Sequence, residues 1–133
     1  MKNLIFVLFV IFASLAFCLP SAQAQSQRIE VIDFHSTHRC KTCLNIESTT
    51  QAVLNKHFAT ELKAGKIVFK TLNVDEKANE KIAEKFEATG TALWIYRADT
   101  NLKIDLTDFA FMNISNFEKF ETHLVKEIRR ALR

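Results

Sequence analysis

Three patterns in the chain point to an α/β fold built on a four-stranded mixed sheet. Short β-branched and aromatic runs alternate with segments of helical spacing, in the order β-α-β-α-β-β-α. The opening strand–helix–strand step requires parallel pairing through a crossover helix. The last two strands are separated by the turn-rich tetrapeptide Ala98–Asp99–Thr100–Asn101, which predicts an antiparallel hairpin. A sheet holding both kinds of pair, with helices on both faces, makes a single domain.

The elements follow in order. Arg28 to Phe34 carries Ile29, Val31, Ile32 and Phe34 and reads as a buried strand. From Cys40 to Phe58 the spacing turns helical, with Ile46, Val53, Leu54 and Phe58 on one face and Thr50 and His57 near it. Gly65 closes a short connection. Lys66 to Val74 is the second strand, and Asp75 is placed to cap a helix whose inner side is Ala78, Ile82, Ala83 and Phe86. After Gly90, Thr91 to Arg97 and Lys103 to Phe111 form the hairpin. Ser115 and Glu118 have capping-box spacing ahead of a last helix that buries Phe117, Phe120, Leu124, Ile128 and Leu132.

Residues 1–24 are expected to lie outside this domain, which then spans residues 25–133. Lys2 gives a positive start, Leu4 to Leu19 is an apolar run, Pro20 breaks it, and Ala22–Gln23–Ala24 is an A-x-A cleavage pattern. That is the layout of a secretory signal peptide. The run is about 16 residues, short of the roughly 20 needed to span a bilayer. The predicted location is therefore periplasmic, after secretion across the inner membrane. Membrane attachment would require an uncleaved segment or lipidation at Cys18, where Phe17 replaces the small residue of a lipobox.

Composition excludes several classes. With 48% hydrophobic and 25% charged residues the chain is ordinary globular material. The formal charge of +3 falls by one when Lys2 is removed, too little for a nucleic-acid surface. Lys126, Arg129, Arg130 and Arg133 concentrate basic charge only at the last helix, where they complement the C-terminal dipole. Gly65 and Gly90 are the glycines of the chain, so there is no Gly-rich phosphate loop, and no nucleotide cofactor is expected. The 12 Phe residues fall largely on core positions. Asn113–Ile114–Ser115 matches a glycosylation acceptor, although Ser115 is better used as a cap.

The chemistry lies in Cys40–Lys41–Thr42–Cys43. A bridge closing so short a loop restricts the unfolded chain little, so the pair is a poor stability device and is better read as reactive. It stands at a strand-to-helix junction. Cys40 would meet the unpaired N–H groups and positive dipole end of the helix, with Arg39 and Lys41 as cationic neighbours. These features favour the thiolate and assign the attacking role to Cys40 and the resolving role to Cys43. The competing reading is a zinc or copper site from His35, His38, Cys40 and Cys43, which lie within one short stretch. Attached haem is excluded by Leu44 in the position where histidine is needed.

On these residues the chain resembles the thioredoxin superfamily. The carriers are Val31–Ile32–Asp33–Phe34, the cysteine pair, Leu72–Asn73–Val74–Asp75 and Gly90–Thr91–Ala92–Leu93. The resemblance implies a single thioredoxin-like domain, a redox-active disulfide and oxidoreductase chemistry. It also implies protein partners: an upstream membrane or periplasmic dithiol donor, and a downstream reductase or disulfide substrate. More narrowly, Phe34–His35, Arg39 to Cys43 and Ile46–Glu47 look like the small ArsF-type subunit family of nitrophenyl-compound nitroreductase, which would imply electron delivery to a nitroaromatic reductase.

Three departures bear on the site. Arg39 to Cys43 replaces the usual Trp-Cys-Gly-Pro-Cys segment. Thr91–Ala92 stands where the superfamily has a residue followed by cis-proline, and a cis bond before Ala92 would cost about 2.5–4 kcal/mol, so a trans bond is expected. Asp33 falls near the family's buried acid, but one residue further from the first cysteine. A one-residue offset reverses the face of a strand, so Asp33 is expected to point away from the cysteines unless a bulge intervenes.

Overall fold

In a computed structural model that describes residues 28–133, four strands form one sheet in the order β2-β1-β3-β4. β1 (Ile29–His35) is followed by α1 (Lys41–His57) and a short α2 (Ala59–Lys63). β2 (Ile67–Asn73) leads through a 3-10 turn at Lys77–Asn79 into α3 (Glu80–Lys85). Then come β3 (Ala92–Arg97), β4 (Leu102–Asp105), α4 (Thr107–Asn113) and α5 (Phe117–Ala131). β1 pairs parallel with β2 and antiparallel with β3, and β3 pairs antiparallel with β4. The mixed sheet agrees with the sequence. The signal segment, Cys18 and residues 25–27 lie outside the described residues.

The period of two along the strands sorts side chains into two cores. Ile29 and Val31 of β1 join Leu93 and Ile95 of β3 against Ile46, Val53 and Leu54 of α1 and Phe120, Leu124 and Ile128 of α5. Ile32 and Phe34 face the opposite way, with Ala92 and Tyr96, against Ala83 and Phe86 beside α3. Phe86 anchors that side: its ring lies 5.6 Å from Phe34, 5.4 Å from Trp94 and 5.3 Å from Tyr96. Helices thus cover both faces of the sheet.

The structure corrects the sequence reading at several places. The last strand stops at Asp105, and residues predicted to extend it to Phe111 form α4 instead. Leu106 and Ala110 are buried and Phe109 partly so, which is helical spacing, whereas Phe111 and Met112 face outward. The Thr107 hydroxyl accepts from the Leu93 amide and so ties this turn back onto β3. Asp75 caps no helix; its carboxylate accepts from the Thr37 amide at 2.7 Å. The last helix is capped by Asn116, which accepts from the Lys119 amide at 3.1 Å, rather than by Ser115. Phe117, one residue past that cap, is consequently 48% exposed and not core. Asn113 is buried and donates to the Phe109 carbonyl at 2.8 Å, so its amide is engaged in ending α4 rather than presented for glycosylation.

Core and surface positions on the last two helices should separate sharply in chemical denaturation. Phe120→Ala, which empties a fully buried position, should cost about 3–5 kcal/mol. Met112→Ser on the outer face of α4 should stay within about 0.5 kcal/mol of the parent; a large loss there would contradict the helix.

Candidate functional site: a disulfide at a helix N-terminus over a buried ion cluster

The C-terminal end of β1 releases the chain into a loop, Ser36 to Arg39, that ends at Cys40. This loop is fastened to the end of β2. The Val74 amide donates to the His35 carbonyl, the Asn73 side-chain amide donates to the Thr37 hydroxyl at 3.1 Å, and Asp75 receives the Thr37 amide. Those hydrogen bonds hold Asp75 below the usual carboxylate range, the Thr37 amide contributing most. The Leu72–Asn73–Val74–Asp75 segment therefore acts as a clasp for the loop that presents the cysteines.

Cys40 is the N-cap residue of α1, in extended conformation, and its sulfur accepts from the Cys43 amide at 3.1 Å. The two cysteines are joined in a disulfide with their α-carbons 5.1 Å apart. Cys40 is exposed, whereas Cys43, one turn in, is 8% exposed. No acidic side chain occupies the first turn of α1, so nothing competes with the Cys40 sulfur for the helix's positive end. Lys41 is exposed beside it. Leu44, one turn beyond Cys40, is 48% exposed and gives the rim an apolar contact surface.

Arg39 does something different from Lys41. Its side chain turns inward, where one guanidinium nitrogen lies 3.2 Å from Asp33 Oδ2 of β1 and another pairs with Glu47 of α1. Asp33 is completely buried. It belongs to the Ile29–Val31–Asp33 row, the face that packs on α1. The strand runs in unbroken register with β2 from Ile29 to His35, so there is no bulge. The expectation that Asp33 points away is thus overturned: the extra residue is taken up in the loop after β1, where it leaves the strand's alternation unchanged. Burial pushes the Asp33 carboxyl up to about 7, while Arg39 pulls it down and Glu47 pushes it further up.

The inner face of α1 is polar at this end. Cys43, Glu47 and Thr50 follow one another along it. Asp33 Oδ1, Arg39 Nε and the Thr50 hydroxyl are buried without a protein partner. Glu47 is the residue that sequence reasoning missed as part of the site. The signal available was its place one turn after Cys43, on the side of the helix that faces the sheet.

Ala92 opens β3, with Thr91 just before it, and Ala92 is paired with Phe34 at the end of β1 that leads to the cysteine loop. They therefore lie at the end of the sheet from which the cysteine loop leaves. The bond between them is trans, as no peptide bond is cis among the described residues. His35 Nδ1 is engaged with the Ser36 carbonyl at 3.1 Å and His38 is exposed. Among the described residues no three His, Cys, Asp or Glu side chains come together to hold a metal ion. The structure does not gather His35, His38, Cys40 and Cys43 into a centre, and the two sulfurs bond to each other instead.

Two solved structures are similar to this one. The thioredoxin of Fasciola hepatica shares 20% identity, covers 82% of this chain and 86% of its own, and gives a TM-score of 0.51. The germline-specific thioredoxin Deadhead of Drosophila melanogaster shares 21% identity over 70% of this chain and 83% of its own, with a TM-score of 0.46. No protein-family model matches the chain, and no curated protein matches it by sequence. The described residues have a thioredoxin-like fold, and in this chain the cysteine pair stands at the N-terminus of α1.

Asp33 also makes a pH signature. Its folded pKa lies above the ordinary aspartate range, so the folded chain binds its proton more tightly than the unfolded chain. The stability this group contributes is complete below the ordinary carboxylate range and is lost as pH rises toward about 7. Asp33→Asn should flatten that decline, read as the pH dependence of urea unfolding of the disulfide form. An unchanged slope would show that Asp33 does not titrate in this window.

Proposed function

We propose that this chain is an exported dithiol electron carrier that exchanges its Cys40–Cys43 disulfide with a protein partner. The observation that carries the reading is the asymmetry of the pair: Cys40 exposed at the N-cap of α1, Cys43 buried one turn behind it. In the reduced protein the Cys40 thiolate attacks one sulfur of a partner disulfide. A Cys40–partner disulfide forms, and the partner's other sulfur leaves as thiolate. The Cys43 thiolate then attacks Cys40 Sγ, closing the internal disulfide and releasing the partner's second thiolate. Two electrons pass to the partner, and its two thiolates take up protons. The reverse sequence re-reduces this chain at the expense of a dithiol donor.

The features around the two sulfurs each have a place in that cycle. The helix N-terminus and the Cys43 amide stabilise negative charge on Cys40 Sγ. Burial of Cys43 keeps it from competing for the partner and leaves it positioned to resolve the adduct. Thr91 and Ala92, at that end of the sheet, are where a partner segment would dock, and Ala92 offers neither a proline ring nor a cis bond there. That favours one dedicated partner over a broad range of substrates.

Periplasmic location is supported by the signal-peptide layout of residues 1–24. The resemblance around Phe34 to Glu47 supports a narrower role, the electron-delivering subunit of a nitroaromatic reductase. Trapping with a purified disulfide-bonded peptide tests the dithiol reading. Reduced Cys43→Ser should retain one peptide half on Cys40 as a stable adduct, and Cys40→Ser should retain none. Equal adducts on both variants, or none on either, would remove the assignment.

A further inference from the structure

The cation next to the nucleophile does not face it. Arg39 immediately precedes Cys40, yet its guanidinium is spent on Asp33 and Glu47 beneath α1, and its side chain is 18% exposed. No member of this cluster takes part in the dithiol cycle, and Glu47 is its contribution from α1. It stands four residues after Cys43, its side chain 27% exposed, and it reaches Arg39 across the start of the helix. Asp33 alone would leave one side of the guanidinium free. With Glu47 in place, two carboxylates share one cation.

We propose that Glu47 is a positioning residue for the Cys40–Cys43 couple: together with Asp33 it holds the Arg39 guanidinium inward and so withholds that positive charge from the Cys40 sulfur. This rests on the dithiol reading above and adds what sets the poise of the pair. The consequence is electrostatic. Reduction creates negative charge at Cys40, and a cation free to approach it would stabilise the reduced form and make the couple more oxidising. A compensated Arg39 does so much less, which leaves the helix N-terminus and the exposed Lys41 as the thiolate's main support. His35, His38 and Asp75 surround the loop but are not part of the cluster.

Removing either partner of an ion pair tends to destabilise a protein, so stability alone cannot test this. The sign of the redox shift can. The full chain, in its disulfide form, is equilibrated with reduced glutathione: protein disulfide plus two glutathione thiols gives protein dithiol plus one glutathione disulfide. Glu47→Gln frees Arg39 and should move this equilibrium about three- to tenfold toward the dithiol, with a fall in the apparent pKa of the Cys40 thiol. Arg39→Gln leaves the carboxylates uncompensated beside the pair and should move it several-fold the other way, with a rise in that pKa. Arg39→Lys keeps the charge and should stay within about twofold of the parent, which a purely packing role for Arg39 would not produce.

Opposite signs for the two glutamine variants support the proposal. Shifts of the same sign, or none beyond about twofold, overturn it while leaving the dithiol reading intact. A parent chain whose disulfide does not exchange with glutathione at all overturns both.

Discussion

The geometry of the molecule follows from the central strand. β1 is paired on both sides, parallel to β2 and antiparallel to β3, and both of its faces are covered. Its alternation decides which residues meet which helices: Val31 and Asp33 go to α1, Ile32 and Phe34 to the Phe86 side. Its C-terminal end fixes where the chain leaves the sheet, and the clasp to Asn73 and Asp75 fixes the path it then takes. Cys40 is delivered to the N-cap of α1 because β1 ends where it does. A slip of one residue in β1 would turn Asp33 to the Phe86 side and exchange the two hydrophobic rows.

Within that frame the site is built from two opposed placements of charge. Toward solvent lie the helix N-terminus, Lys41 and the Cys40 sulfur, an arrangement suited to a thiolate. Toward the core lie Asp33, Arg39 and Glu47, an ion cluster whose members satisfy one another in part. Burying charge is unfavourable unless it is paired: burial raises the Asp33 carboxyl to about 7, and the guanidinium beside it opposes that rise. The disulfide bridges the two regions, with Cys40 on the wet side and Cys43 on the dry one. This division gives an exchange reaction its direction of attack.

Much of this was legible in the sequence, because strand alternation and helical spacing are local signals. The first three strands, the helix after Cys40 and the mixed sheet could all be read from them. The errors arose where two local patterns coincide. Leu102, Ile104 and Leu106 continue a strand, while Leu106, Phe109 and Ala110 begin a helix, and only packing against Phe120 decides between them. Asp75 and Ser115 look like caps, but Asp75 is recruited by a loop far away in sequence, and Asn116 is better placed to meet the Lys119 amide. At the site, the cysteines and the position of Cys40 were readable. The inward turn of Arg39 and the part played by Glu47 were not, since both depend on β1 and α1 lying against each other. Asp33 was misjudged because the extra residue was counted against the strand instead of the loop.

The central claim is that the fold makes the two sulfurs unequal. Limited alkylation of the reduced full chain with substoichiometric iodoacetamide, mapped by mass spectrometry across pH, measures this directly. The structure predicts modification of Cys40 alone, with a rate that reaches its plateau below the ordinary thiol pKa of about 8.5. Modification of Cys43 first, or of both at equal rates, would contradict it.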